Sequence, residues 1–116
     1  MAIFSQGDVV RVPFPYTDKQ TRQYRPALVV SSGSVGENGA LLWVVMITSA
    51  ENRAWQGDVK IPRRLQAGLP APSVVRTLKL ATIETRHAEK LGMISGPTLS
   101  SVMQQIQLIV SGKRES

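Results

Sequence analysis

Arg25 heads the segment QYRPALVVSS (residues 23–32), where one guanidinium precedes a run of small and apolar residues. A charge at the mouth of an apolar strand is costly unless a carboxylate or an anionic group meets it. Asp8, Asp18 and Glu84 are the candidate carboxylates, and a phosphate is the alternative. Hydroxyls and further cations recur at the ends of other apolar runs: Ser31 and Ser32, Thr48 and Ser49, then Arg76 and Lys79. Guanidinium forks beside hydroxyl donors suit phosphate oxygens. Tyr16 and Arg22, in the polar segment PYTDKQTRQY (15–24), add a ring and a cation suited to stacking on and steering splayed-out bases.

Other chemistry is set aside by what the chain lacks. There is no cysteine and a single histidine, His87, so neither a disulfide nor a thiolate or histidine metal cluster is available. No glycine-rich phosphate loop, no Gly-x-Ser-x-Gly elbow and no spaced acidic pair stands out. His87 has the side chain best suited to act as a base at neutral pH, but it sits in ETRHAEKLG (84–92), a charged stretch that reads as a loop with a solvated histidine. The net charge of +6, with nine arginines among fourteen cations, favours a polyanionic partner or serves solubility alone.

The 116 residues amount to one ordinary domain, expected over 1–112, with KRES (113–116) as a loose tail. No run approaches the roughly 18 apolar residues of a membrane span and no secretory leader is evident, which points to the cytoplasm. DVVRVPF (8–14) reads as a strand ended by prolines, PALVVSS (26–32) as a second, and ALLWVVMIT (40–48) as a fully apolar third at the sheet centre, with Trp43 in the core. WQGDVKIP (55–62) follows as a fourth, with Trp55 either packed or exposed as a partner surface or stacking platform. RRLQAGLPAP (63–72) reads as a turn or single helical turn, and SVVRTLKLATIET (73–85) as a long strand whose broken alternation predicts a bulge or a two-sided environment. From Pro97 to Gly112 the apolar period changes to three and four: Leu99, Val102, Met103, Ile106, Ile109 and Val110 mark one amphipathic helix. The organisation is several antiparallel strands closed by one helix.

The block GDVVRVPFPYTDKQTRQYRPALVVSS (7–32) resembles the opening of the MazF/PemK toxins, with their Gly-Asp-Val strand, Pro-Phe loop and Arg-Pro-Ala strand. VVMITSA (44–50) is similar to the family's third strand with its terminal threonine, and SVVRTLKLATIET to its long strand. The Leu/Ile-rich end is similar to its closing helix, so the likeness covers nearly the whole chain, with Arg-Pro-Ala its most specific part.

The resemblance implies a mostly β fold with helices, a small, partly open antiparallel β-barrel with a C-terminal α-helix, shared with the gyrase poison CcdB. It implies a metal-independent endoribonuclease without cofactor, cutting single-stranded RNA at short sequences as a homodimer and neutralised by a cognate antitoxin protein. Its catalytic arginine and threonine map to Arg25 and Thr48, and Arg76 and Lys79 occupy the strand where Kid-like members carry groups that bind RNA; Tyr16, Arg22 and Ser49 join them as RNA-binding candidates on their residue types alone. In Kid-like members an acidic residue follows the strand arginine at a spacing of two, where Leu78 stands here, so Arg76 is left either to hold a flanking phosphate or to face solvent. An antitoxin that blocks a basic groove is expected to present acidic and apolar residues. Two other readings share the fold: a gyrase-binding toxin, disfavoured by a C-terminus SGKRES in place of Trp-Gly-Ile, and a noncatalytic RNA-binding barrel.

Overall fold

In the computed structural model, which describes residues 3–14 and 23–112, six strands form one antiparallel sheet. They are β1 (Asp8–Phe14), β2 (Gln23–Val29), β3 (Leu41–Ser49), β4 (Asp58–Lys60), β5 (Ser73–Glu84) and β6 (Glu89–Met93), followed by the helix α1 (Gly96–Ser111). The order across the sheet is β4-β5-β3-β2-β1-β6, so the apolar β3 lies centrally as its composition predicts, while β4 and β6 remain as edges and the sheet stays open. Among the described residues no helix is long and apolar enough to cross a membrane.

Because β side chains alternate, each central strand feeds two apolar layers. Val9, Leu28, Val45, Ile47 and Val75 pack on one face with Val102 of α1, joined by Leu99, Met103 and Ile106. Val10, Val12, Ala27, Val29, Val44 and Met46 pack on the other with Phe4 and Ile83. The helix begins where expected: Ser95 caps it by accepting from the Thr98 amide, and Gly112, at φ 71°, ends it in the left-handed conformation. The apolar stripe outruns its support, since Ile109 and Val110 at the end of α1 are exposed.

Several elements differ from the sequence expectation. Trp43 is not in the core but 51% exposed: it shares a face with Val45 and Ile47 but lies near the start of β3, outside the continuous buried run that begins at Val44. β2 starts at Gln23, three residues before the apolar run, because Gln23, Tyr24 and Arg25 pair with Phe14, Pro13 and Val12 of β1. It ends before the two serines; Ser31 instead donates to the Gly33 carbonyl and accepts the Trp43 amide. The fourth strand shrinks to Asp58–Lys60, since residues 55–58 form a turn. The charged stretch read as a loop contains a 3-10 turn, Thr85–His87, and then the edge strand β6. Its pairing with β1 is marked by charges rather than apolar alternation, with Lys90 3.4 Å from Asp8 and Glu89 3.3 Å from Arg11. The irregular register of β5 is as expected: Val45 faces Leu80 but Met46 faces Arg76, leaving Thr77, Leu78 and Lys79 in a bulge. The tail at 113–116 lies outside the described residues.

The turn formed by residues 63–69, also as expected, crosses β6 backbone to backbone. A Cβ on Gly92 would collide with the Gln66 carbonyl oxygen, and one on Gly68 with the Leu91 carbonyl oxygen. At the same crossing the Met93 amide donates to Gln66. Gly92→Ala is therefore expected to cost about 2 kcal/mol, the scale of overpacking a close contact, in urea unfolding. An unchanged midpoint would show that the crossing is loose.

Candidate functional site

β2 and β3 run antiparallel with Ala27 facing Met46, and two residues further along each strand stand Arg25 and Thr48. The two side chains that the sequence placed in one centre thus fall at facing positions on neighbouring strands. They share the face of Ala27, Met46 and Val12, the last of which pairs directly with Arg25. The ladder stops at Ala27, one residue short of Pro26, which has no N–H to donate.

Arg25 is half-buried, and its Nη2 donates to Gln23 Oε1 at 3.0 Å. Of its candidate carboxylates, Asp8 accepts the Ser5 amide and lies by Lys90, Glu84 holds Arg86, and Asp18 lies outside the described residues. Thr48 is buried, and its Oγ1 accepts from Asn52 Nδ2 at 2.6 Å. With that lone pair used, the hydroxyl keeps its hydrogen for an anionic oxygen. Ser49, next to it, is exposed, and its Oγ accepts the Glu51 amide at 3.2 Å.

Continuing across the same face, Val74 of β5 faces Thr48, and Arg76, two residues on, faces both Met46 and Asp58. Arg76, expected to meet phosphate or solvent, is buried in a pair with Asp58: Nε donates to Oδ1 at 3.2 Å and Nη2 to Oδ2 at 2.9 Å, the side chains being 8% and 10% exposed. A third bond runs from Nη2 to the Arg53 carbonyl at 2.7 Å, and the guanidinium lies over the Trp55 indole, 4.4 Å from its centre. Lys79, carried out by the bulge, brings its Nζ 5.5 Å from the same ring. Burial alone would raise the Asp58 pKa; the hydrogen bond from Arg76, the Trp55 amide and the Arg76 charge outweigh it and hold the carboxyl below its ordinary value.

Tyr16 and Arg22 lie outside the described residues. His87 is partly exposed in its turn, with Nδ1 4.0 Å from Glu84 Oε2, on the far side of β5 from Ser73 and Val74, which face Ser49 and Thr48. A cleft of about 650 Å³ lined by Phe4, Ser32, Gly33, Thr85 and Arg86 lies at the opposite end of β2 and β3 from Arg25 and Thr48. Sequence reasoning missed Gln23, Asn52 and Asp58. Asn52 carried no signal of its own; Asp58 was legible only as a carboxylate at the start of a strand, with no hint that the register would set it beside Arg76. Among the described residues no group of acidic or histidine side chains is arranged to hold a metal ion.

The sequence matches the family model described as PemK-like, MazF-like toxin of type II toxin–antitoxin systems over residues 5–110. A comparison with curated proteins gives no match. The fold is similar to that of MazF in a MazE–MazF crystal structure from Deinococcus radiodurans, at TM-score 0.73 and 21% identity, covering 95% of this chain and 97% of that one. It is also similar to an endoribonuclease in complex with its cognate antitoxin from a mycobacterial species, at TM-score 0.69 and 17% identity over 100% of both chains. Toxin MazF-mt6 of Mycobacterium tuberculosis matches at TM-score 0.62 and 20% identity, over 88% of this chain and 95% of that one.

Proposed function

The chain belongs to the PemK-like, MazF-like toxins of type II toxin–antitoxin systems, and from that premise we propose that it is a metal-independent endoribonuclease cutting single-stranded RNA in the cytoplasm. The observation that carries this reading is the facing position of Arg25 and Thr48 on one face of the sheet, beside a loop that leaves the Thr48 hydrogen free to donate. Support also comes from the endoribonuclease identity of a mycobacterial protein with the same fold.

The 2′-hydroxyl oxygen attacks the adjacent phosphorus as the bond to the 5′-oxygen breaks, giving a 2′,3′-cyclic phosphate and a 5′-hydroxyl. Arg25 spans two nonbridging oxygens and stabilises the charge that grows on them; Thr48, oriented by Asn52, donates to a phosphate oxygen. Neither residue takes the 2′-hydroxyl proton: arginine stays protonated to a pKa above about 12, and a threonine hydroxyl is no base at neutral pH. The 2′-hydroxyl proton therefore passes to water, the departing 5′-oxygen takes its proton from water in turn, and turnover is modest. Tyr16, Arg22, Ser49 and Lys79 contact the substrate on either side of the scissile phosphate, and Arg76 serves from its ion pair. The protein works as a homodimer, and its neutralising partner is an antitoxin whose acidic and apolar segment covers the basic site. A MazE–MazF complex with the same fold supports that partner class.

The test is incubation of the purified protein with a long unstructured RNA in EDTA, followed by mapping of the cut ends. Cuts at a short recurring sequence bearing 5′-hydroxyls are expected. Thr48→Val, which keeps the shape and removes the hydroxyl, is expected to slow them about 10-fold. Uncut RNA under these conditions, tightly bound, would favour a noncatalytic barrel; RNA neither cut nor bound would leave gyrase as the target to assay.

A further inference from the structure

We propose that Trp55 is a fixed stacking platform for a nucleobase next to the scissile phosphate, with the buried Arg76–Asp58 pair as the device that fixes it. The proposal rests on the ribonuclease reading and extends it to a residue that reading does not use.

Trp55 is 39% exposed, although an indole gains more by burial than almost any other side chain. A surface tryptophan on a loose loop needs no explanation, but the backbone of this one is pinned from several directions. Its amide donates to Asp58 Oδ2 at 2.9 Å, and its carbonyl accepts the Asp58 amide at 3.2 Å. Gly57, at φ 91°, closes that turn, and its carbonyl accepts Thr77 Oγ1 at 2.8 Å. A Cβ on Gly57 would stand 2.9 Å from the same Thr77 oxygen, so the turn lies tight against the β5 bulge. A ring held this way loses little freedom when a base lands on it, which is the condition under which stacking contributes in full.

Arg76 lies over the indole while its charge is neutralised by Asp58, so it orients the ring without competing strongly for phosphate. Lys79 has no such partner in the described ion pairs; it lies near the ring on a flexible stem and is able to turn to a backbone phosphate beside a stacked base.

The loop that leaves β3 after Ser49 bonds Thr48 through Asn52 and bonds Arg76 through the Arg53 carbonyl before it reaches Trp55. Arg76 stands one strand over and two residues along from Thr48 on the same face, about 8 Å away from strand spacing and rise. That is a short enough step for adjoining nucleotides of one strand to span. A base read by its flat face fits single-stranded RNA, whose unstacked bases are available to aromatic side chains.

The experiment uses the full chain carrying Trp43→Phe, which leaves Trp55 as its single tryptophan. The probes are a random-sequence 2′-O-methyl oligoribonucleotide, which has no 2′-hydroxyl to attack, and an abasic oligomer with the same number of phosphates. The base-bearing oligomer is expected to quench Trp55 emission by about half and the abasic one to leave it nearly unchanged. On cleavable RNA, Trp55→Ala is expected to raise KM about 10-fold or more with kcat within about 2-fold, and Trp55→Phe to recover most of the loss. Equal quenching by both oligomers, or a Trp55→Ala enzyme with unchanged KM beside an active wild type, would overturn the platform alone. A wild type that neither cuts nor binds RNA would overturn the ribonuclease reading and the platform with it.

Discussion

Arg25→Ala is expected to lower single-turnover RNA cleavage by at least about 100-fold while leaving RNA affinity within about 10-fold. The size follows from where the charge grows. Attack on phosphorus loads negative charge onto nonbridging oxygens, and removing one preorganised donor aimed at such charge costs about 10² to 10³ in rate. Arg25 is set for this by its strand: it is half-buried, paired across to Val12, and its Nη2 is steadied by a hydrogen bond to Gln23 Oε1. Ground-state affinity comes from several cations distributed over a basic chain, so the loss of one changes it much less. Arg25→Lys is expected to recover only a part, because an ammonium supplies charge without the planar fork that spans two oxygens. A rate for Arg25→Ala within about 10-fold of wild type would remove Arg25 from the catalytic centre.

The largest effect on stability is expected from Asp58→Ala, about 3 kcal/mol or more in urea unfolding, the cost of leaving a buried charge without its partner. In that variant the Arg76 guanidinium, 8% exposed, keeps only the Arg53 carbonyl and the face of Trp55, and the Trp55 amide loses its acceptor. The double variant Arg76→Met with Asp58→Leu removes both charges and fills the space, so it is expected to regain most of the loss. If it were as unstable as Asp58→Ala, packing rather than an unpaired charge would be the cause. The pair also sets an acid limit. Asp58 has a folded pKa below its ordinary value, so its contribution is complete above about pH 4 and is lost as pH falls through the lowered value. Asp58→Asn is expected to lose that component of the acid dependence, read as a flatter midpoint against pH below about 4.

Apolar runs were legible along β1 and β3, and so was the helix, because Pro97, Gly112 and the three-and-four spacing of Leu99, Val102, Met103 and Ile106 all agree. β6 was hidden because an edge strand buries little; its pairing with β1 is written in Lys90 and Glu89, which read as loop charges until their partners Asp8 and Arg11 are beside them. Trp43 shows the opposite limit. In a strand apolar on both faces, alternation carries no information about which residue outruns its cover. Arg25 and Thr48 were found through the family's motif, and their facing placement follows from a register that no local spacing encodes. Arg76 was misjudged in kind: the bulge that sets it opposite Met46 was foreseen, but the carboxylate that meets it comes from another strand eighteen residues away.

The pairing of β1 with β6 joins Arg11 to Glu89 across 78 residues of sequence. During synthesis, a chain of this topology has its first strand outside the ribosome long before the strand that covers it has been translated. Until Glu89–Met93 leave the ribosome, β1 has one bare edge and Asp8 lacks the ammonium of Lys90. Closing so long a loop is also slow relative to forming hairpins such as β1–β2. A nascent chain therefore holds Arg25 and Thr48 in their strands before its sheet is finished, and the interval between is the time in which a chaperone or a binding partner meets it with an edge still open.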